Sequence, residues 1–284
     1  MTEPVWLSIV IPTCNRPQML GVCLDALTVC LAQISSRGVE ILVSDDSADD
    51  LTRDLLAAHY TWVTWIRGPR RGPAANRNTA VAASRGSWII FTDDDCIPDS
   101  RWLAAFFKAM GGATGCSVLE GKTVADRERR RLDEEAPVNL SGGYLWSCNM
   151  AMTRDVFRRV GGFCETFPHA AMEDVDMRLR VLACGELFSF VPDAVVCHPY
   201  RPSKGLRFAL KSGASYLQLV DRHPHLLGQS RWASFGLNLA RRAWAVGRDV
   251  LRYRFRGGSF ALGTFVVGTY FDVIARLRTA ANPD

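Results

Sequence analysis

Trp88-Ile89-Ile90-Phe91-Thr92-Asp93-Asp94-Asp95 is the stretch on which the reading of this chain turns. Four apolar residues run into a threonine and three carboxylates, the pattern of a buried strand that ends in a polar loop. Adjacent carboxylates repel one another unless a cation or a hydrogen-bond network balances them. Hard oxygen donors in that position suit Mg2+ or Mn2+ carried on a diphosphate, for which a protein supplies only one or two ligands. A single aspartate would be enough to cap the helix expected to begin near Ser100, so three exceed what a cap requires.

The same pattern recurs toward the N-terminus. Leu7–Pro12, Val39–Val43 and Val63–Ile66 read as strands, separated by helices over Gln18–Leu31, Asp49–His59 and Gly72–Ser84. The alternation predicts an α/β fold, a Rossmann-like mostly parallel sheet flanked by helices. Ligands of such open sheets bind outside the carboxyl ends of the strands. Three loops are therefore expected to line one crevice: Pro12-Thr13-Cys14-Asn15-Arg16, Ser44-Asp45-Asp46-Ser47 and Thr92-Asp93-Asp94-Asp95. Asp45-Asp46 either closes a turn or accepts a hydrogen bond from a nucleotide base edge.

Beyond Asp95, Lys122–Glu135 is dominated by charge and reads as a solvated connection, and Gly142–Thr153 as irregular strand. Met172–Ala183 is a helix with Met172, Val175, Leu179 and Leu182 on its apolar face, which sets Glu173 and Asp174 toward the rim of that face. Carboxylates in a first turn are also favoured by the helix dipole, so that pair admits a purely structural reading. Leu187–Val191 and Ala194–Cys197 read as short strands around Pro192-Asp193. His198 follows them. A lone histidine is more often a packed side chain than a ligand, but imidazole suits Mn2+ if the fold brings it to the aspartates. Helices over Leu206–Val220, Trp232–Tyr253 and Phe260–Leu277 end the chain, dividing it into a catalytic domain, 1–200, and a basic, partly apolar helical region, 201–284.

At 284 residues, 48% hydrophobic and 22% charged, the composition is that of an ordered globular protein. Nine scattered cysteines without a CxxC pair read as reduced thiols of a cytoplasmic protein. Met1–Trp6 carries no basic segment ahead of an apolar run, so Leu7–Pro12 reads as strand and export is not expected. The net charge of +5 is unevenly spread: from Pro199 onward 14 basic residues face 4 acidic ones, and residues 1–198 hold 20 against 25. The basic tail has long apolar stretches and no recognisable nucleic-acid-reading motif, so an anionic membrane surface is the expected partner and nucleic acid is not. Phe260–Phe271 is only 12 residues long before Asp272, short of the roughly 20 apolar residues a spanning helix needs. The expectation is a helix lying on the inner face of the membrane without crossing it. The alternative is packing against the catalytic domain or against a second copy of the chain, as a homodimer.

Seven segments, in order, resemble glycosyltransferase family 2: Ile9-Val10-Ile11-Pro12-Thr13-Cys14-Asn15-Arg16, Glu40-Ile41-Leu42-Val43-Ser44-Asp45-Asp46-Ser47, Gly72-Pro73-Ala74-Ala75-Asn76-Arg77-Asn78, Phe91-Thr92-Asp93-Asp94-Asp95-Cys96, Cys148-Asn149-Met150-Ala151-Met152, Gly161-Gly162-Phe163 and Glu173-Asp174-Val175-Asp176. The resemblance covers about residues 6–200. It implies a glycosyltransferase-A fold, a nucleotide diphosphate-sugar donor, Mn2+ or Mg2+, and inverting transfer to a hydroxyl of a glycan or lipid-linked acceptor in cell-envelope or other glycan synthesis. By position it implies that Pro12 and Asp46 meet the base, Asp93 the ribose and Asp95 the metal. Thr13, Cys14, Arg16 and Asp94 fall in the nucleotide-binding loops, and Arg77 and Asn78 in the segment bracing them. Asp174 matches the base that deprotonates the acceptor, and His198 a histidine that completes the metal site in some members. Cys14 and Cys164 depart from the pattern, standing where an aromatic residue and an acid are common.

Two rivals have distinct signatures. A sugar nucleotidyltransferase would carry a glycine-rich loop with Lys or Arg immediately after the first strand, and Pro12–Arg16 has no glycine. A catalytically inactive scaffold of the same fold would have no need of Asp93, Asp95 and Asp174 together.

Overall fold

The computed structural model describes residues 5–34, 38–112, 115–227 and 233–281. β1 (Leu7–Thr13), β2 (Val39–Asp45), β3 (Val63–Arg67) and β4 (Trp88–Thr92) form the parallel half of one sheet, joined by α1 (Pro17–Ala32), α2 (Leu51–His59) and α3 (Pro73–Ala83). Proline at the first turn starts both α1 and α3, where its fixed φ is preorganised and its missing N–H costs nothing. The second half adds β5 (Ile97–Pro98), α4 (Trp102–Met110), β6 (Val118–Ala125), β8 (Asn149–Thr153), α5 (Arg154–Arg159), α6 (Glu173–Ala183) and β9 (Phe188–His198). The short β7 (Glu134–Glu135) and β10 (Arg201–Pro202) pair with each other apart from that sheet. Sheet order is β3-β2-β1-β4-β8-β6-β9-β5, with β8 antiparallel to both β4 and β6, and β9 parallel to β6. The fold is the expected α/β one: a mixed, mostly parallel sheet flanked by helices.

Strand alternation divides the core between two faces. Leu7, Ile9 and Ile11 of β1 meet Leu24 and Leu27 of α1 and Trp102 and Phe106 of α4 on one side, while Val10 joins Phe91, Val156, Phe157 and Met177 on the other.

Three expectations change. Lys122–Glu135 is not wholly a solvated connection, because Lys122–Ala125 continues β6, with Thr123 buried. Leu187 lies outside the sheet, and Phe188–Val191 and Ala194–Cys197 belong to one eleven-residue strand, β9. The register of β6 against β9 shifts between Gly121 and Lys122, which lets Pro192-Asp193 bulge without breaking the strand. Of Gly142–Thr153 only the end is strand, the rest being a loop held by Glu120.

The contacts divide the chain into two compact units. Unit 1 comprises Met1–Asp126, Pro137–Glu165 and Glu173–Pro199, and unit 2 comprises Arg127–Ala136, Thr166–Met172 and Tyr200–Asp284. Unit 2 is built on α7 (Leu206–Arg222), α8 (Ala233–Arg252) and α9 (Gly258–Ala281), so the Trp232 start expected for α8 lies outside the described residues. α7 packs on α9 through Leu217, Val220 and Ala275, with Phe271 filling the space left by Gly213. Asp272 falls inside α9, within the helix expected over Phe260–Leu277. Its carboxylate pairs with Arg276 one turn on, at 3.3 Å. Gly258–Thr279 is long and apolar enough to cross a membrane by length and composition, criteria that a soluble core helix also meets.

Candidate active site

The carboxyl ends of the parallel strands converge as open-sheet topology requires. Asn76 of α3 ties two of them together, since its Nδ2 donates to Ser44 O at 2.9 Å and Thr13 O at 3.2 Å. Asp46 accepts from the backbone N–H of Arg70 at 2.8 Å and of Gly72 at 3.2 Å. A Cβ on Gly68 would stand 2.2 Å from Asp46 Oδ1, so glycine is what lets that loop close over the aspartate. Pro12 is buried at the end of β1, and Cys14 beyond it is exposed. Burial first, then Asp46 and Asp45, raise the Cys14 thiol above its ordinary pKa, so it stays protonated near neutrality.

Each acid of the Asp93–Asp95 loop has its own partner. Arg77, nearly fully buried, donates from Nη2 to Asp93 Oδ1 at 2.6 Å. Asp94 accepts from the Thr13 hydroxyl at 2.7 Å and pairs with Arg16 Nη2 at 2.6 Å. Arg16 Nη1 donates to Asp95 Oδ2 at 2.8 Å, and His198 Nε2 lies 3.2 Å from Asp95 Oδ1. Burial lifts Asp94 to about 7 despite the opposing pull of Arg16.

The Asp95–His198 pair tests whether a divalent cation fits. His198 Nδ1 lies 3.0 Å from Pro199 O, and a carbonyl only accepts, so Nδ1 carries a proton. In the neutral ring Nε2 then turns a lone pair toward a carboxylate, an arrangement that asks for a proton or a metal ion between them. Among the described residues no group of three or more His, Cys, Asp or Glu side chains is placed to hold a metal alone. Two donors suffice for an ion whose remaining ligands come from a diphosphate and water.

Glu173 and Asp174 open α6. The hydroxyl and backbone N–H of Ser147 face Asp174 and favour its charged form, while Asp174 Oδ1 is buried without a hydrogen-bond partner. Burial raises the Asp174 pKa, opposed by Arg77. Glu173 rises to about 7 through burial and then the neighbouring Asp174. Burial alone would lower the Arg77 pKa, but Asp93, Asp174 and Glu173 together more than reverse it, so this guanidinium links the two acidic clusters.

Asn78 spends its amide on the turn that follows α5, donating to Phe163 O and Glu165 Oε1, both at 2.8 Å, and accepting from Phe163 N at 2.9 Å. Asp176 is fully buried and pairs with Arg180 at 2.7 Å, a packing role apart from its acidic neighbours. Asn76, Ser147 and Glu120 escaped the sequence reading. Glu120, buried in β6, accepts from Gly143 N at 2.6 Å and Tyr144 N at 2.8 Å, and from Leu145 N and Asn139 Nδ2. It thereby fixes the loop that delivers Ser147.

The profile of glycosyl transferase family 2 matches residues 8–161, which include the β1, β2 and β4 loops, α3, Glu120 and Ser147. The chain belongs to glycosyltransferase family 2. It is a glycosyltransferase of that family, related over 236 residues to glycosyltransferase AglE of Haloferax volcanii at 26% identity, covering 76% of this chain and 75% of the relative. Over 209 residues it is 31% identical to a pre-mycofactocin glycosyltransferase of Mycobacterium tuberculosis, covering 67% of this chain but only 44% of that protein. Among solved structures, a mannosyltransferase of Pyrobaculum calidifontis in complex with GDP-Man and Mn2+ superposes with a TM-score of 0.61 at 19% identity, covering 99% of this chain and 88% of that one. At that identity the likeness establishes the fold, of the glycosyltransferase-A type.

Proposed function

We propose that this family 2 enzyme transfers a sugar, with inversion, from a nucleotide diphosphate-sugar to an acceptor hydroxyl, with Asp174 as general base. The observation that carries the reading is the Asp174 carboxyl. It is held by Ser147, keeps one buried oxygen without a partner, and is coupled through Arg77 to the acidic loop at the end of β4. Inversion needs a nucleophile on the face opposite the leaving diphosphate, so the base and the diphosphate-binding groups belong on separate elements of one crevice. α6 and the β4 loop fit that division.

In this reading Pro12, Thr13, Cys14 and Asp46 border the base, Asp93 takes the ribose, and Arg77 and Asn78 brace the nucleotide side. Asp95 and His198 would hold Mn2+ or Mg2+, and the solved neighbour with GDP-Man and Mn2+ supports that choice of cofactor and donor class. A cation bound there would neutralise charge developing on the leaving diphosphate. Arg16, now on Asp94 and Asp95, is placed to turn its guanidinium toward diphosphate oxygens. Asp174 takes the acceptor proton, and Ser147 fixes the carboxylate's direction while Arg77 keeps its pKa from climbing further.

Unit 2 is assigned to the inner face of an anionic membrane, where a lipid-linked acceptor would be presented. Its strong positive excess and the exposed apolar side chains of α8 and α9, among them Trp244, Leu262 and Val266, support this. The test of the function is transfer assayed beside donor binding on one preparation of Asp174→Asn. Loss of transfer with donor affinity retained is the expected outcome, and turnover within about tenfold of the parent would refute the base.

A further inference from the structure

Unit 2 contains a cavity of about 510 Å³ that the reading above does not use. Arg129, Arg130, Arg252, Arg254 and Arg256 line it beside Tyr253, with Glu128 as the single acid. Nearby acids are committed elsewhere: Asp133 pairs with Arg131 at 2.8 Å and Glu134 with Arg127 at 3.0 Å. Among the described residues no carboxylate forms an ion pair with the guanidinium of Arg130, Arg252, Arg254 or Arg256, although the backbone N–H of Arg130 donates to Glu134 at 3.0 Å. Five guanidinium groups gathered beside one carboxylate are disfavoured unless a further anion joins them.

The wall is built rather than draped. Arg254 and Phe255 take φ of 49° and 62°, left-handed values that side-chain-bearing residues adopt only when their surroundings impose them. Phe255 N donates to Val250 O at 2.9 Å and Leu132 N to Arg256 O at 3.0 Å. At Gly257, φ is 77° and a Cβ would stand 2.7 Å from Asp133 N, so glycine is required twice over. Arg129 donates to Arg131 O at 2.9 Å and Leu132 O at 2.6 Å, and both Arg129 and Arg252 lie 5.8 Å from the Tyr253 ring centroid.

We propose that this cavity binds the phosphate group of an anionic membrane lipid, an inference that rests on reading unit 2 as the membrane-facing part of the enzyme. Guanidinium forks match phosphate oxygens in pairs, and several of them enclose one phosphate from different sides. The apolar surroundings favour a lipid source over a soluble phosphate. Leu237, Trp244 and Leu251 lie on α8 at seven-residue intervals, 57%, 68% and 68% exposed, and Phe255, 70% exposed, sits among the cavity arginines. Such side chains suit the boundary between headgroups and acyl chains.

The test is flotation of the full chain with phosphatidylcholine vesicles containing or lacking phosphatidylglycerol. The variant R252Q/R254Q/R256Q is compared with R207Q/R241Q/R248Q, which removes the same charge elsewhere in unit 2. A cation at an anionic surface contributes about fivefold, so the cavity variant should lose about 100-fold in partition and the control much less. Equal losses would overturn the cavity site while leaving membrane docking in place. Failure of the parent protein to bind anionic vesicles would overturn docking and the lipid assignment together. Thermal stabilisation by inorganic diphosphate that the cavity variant abolishes, in a protein indifferent to vesicles, would overturn the lipid source. If the triple variant is not monodisperse, Arg130→Gln and Arg256→Gln singly carry the same comparison, each expected to lose about fivefold.

Discussion

The two acidic clusters of unit 1 meet opposite surroundings. At the end of β4 each carboxylate is matched: Asp93 by Arg77, Asp94 by Thr13 and Arg16, Asp95 by Arg16 and His198. At the start of α6, Glu173 and Asp174 share Arg77 as counter-charge, and Glu173 Oε2 and Asp174 Oδ1 are buried without a hydrogen-bond partner, whereas Asp94 Oδ1, buried likewise, has the Arg16 guanidinium at 2.6 Å. Burial raises Asp94 as well as Glu173, so burial alone does not separate the clusters. Partners do. A matched carboxylate holds positive charge in place, whereas an under-matched one with a raised pKa is poised to take a proton.

The largest effects come from removing the distinguishing group on each side. Asp174→Asn should lower turnover by about 10²- to 10⁴-fold while changing donor affinity little, measured by transfer and by calorimetry with the donor. Asp95→Ala should do the reverse at the level of binding, abolishing the gain in GDP or UDP affinity that Mn2+ confers. His198→Ala should reduce that gain by less. If Asp95→Ala keeps the full gain, the matched cluster is not the cation site and the comparison collapses.

A smaller effect tests the support beneath Asp174. In Glu120→Gln an amide NH2 replaces one acceptor among the donors of Gly143, Tyr144, Leu145 and Asn139, and leaving one donor unmet costs about 1–3 kcal/mol. Denaturant unfolding reads the stability. A fall in kcat larger than in donor affinity would show that Ser147 has lost its hold on the base.

The subtlest effects are of pH. Because burial raises the Asp174 pKa, the rising limb of kcat should lie above the ordinary carboxylate range, and Arg77→Met should move it higher still by removing the opposing charge. Glu173 is also raised, to about 7 from an ordinary 4.5, so between those values the folded state binds more protons than the unfolded one. Stability of the chelator-treated protein should therefore fall as pH rises through that window. Glu173→Gln should flatten part of the slope, leaving the share owed to Asp94. A parent protein whose stability rises across the same window would contradict the raised values.

The parallel half of the sheet was legible because Leu7–Pro12, Val39–Val43 and Trp88–Phe91 are apolar runs closed by polar loops. In the other half β8 and β9 were read in part, but β6 was not. β6 reads Val-Leu-Glu-Gly-Lys-Thr-Val-Ala, and Glu120 and Lys122 look like solvent-facing charge until the loop that consumes Glu120 is known. Acidic positions could be picked from the resemblance, but the pairing of Arg16 with Asp94 and Asp95 spans 78 and 79 residues of chain and leaves no local pattern. The helix over Phe260–Leu277 was legible, but its apolar stretch was counted only to Phe271 because Asp272 is a charge, whereas Arg276 pairs with it one turn away.

The register of β9 also bears on how the enzyme is made. Ala125 pairs with His198 at the far end of a parallel β6–β9 ladder, and parallel, long-range pairings of this kind are slow to form. β1 to β4 can assemble from local βαβ units while the rest of the chain is still being synthesised. The aspartates of the β4 loop are then in place before the histidine exists on the ribosome. His198 meets Asp95 only once the last long strand has docked, so a nascent or half-folded chain lacks this pair. The contact between Asp95 and His198 is thus a late event of folding, and its presence reports that the sheet has closed.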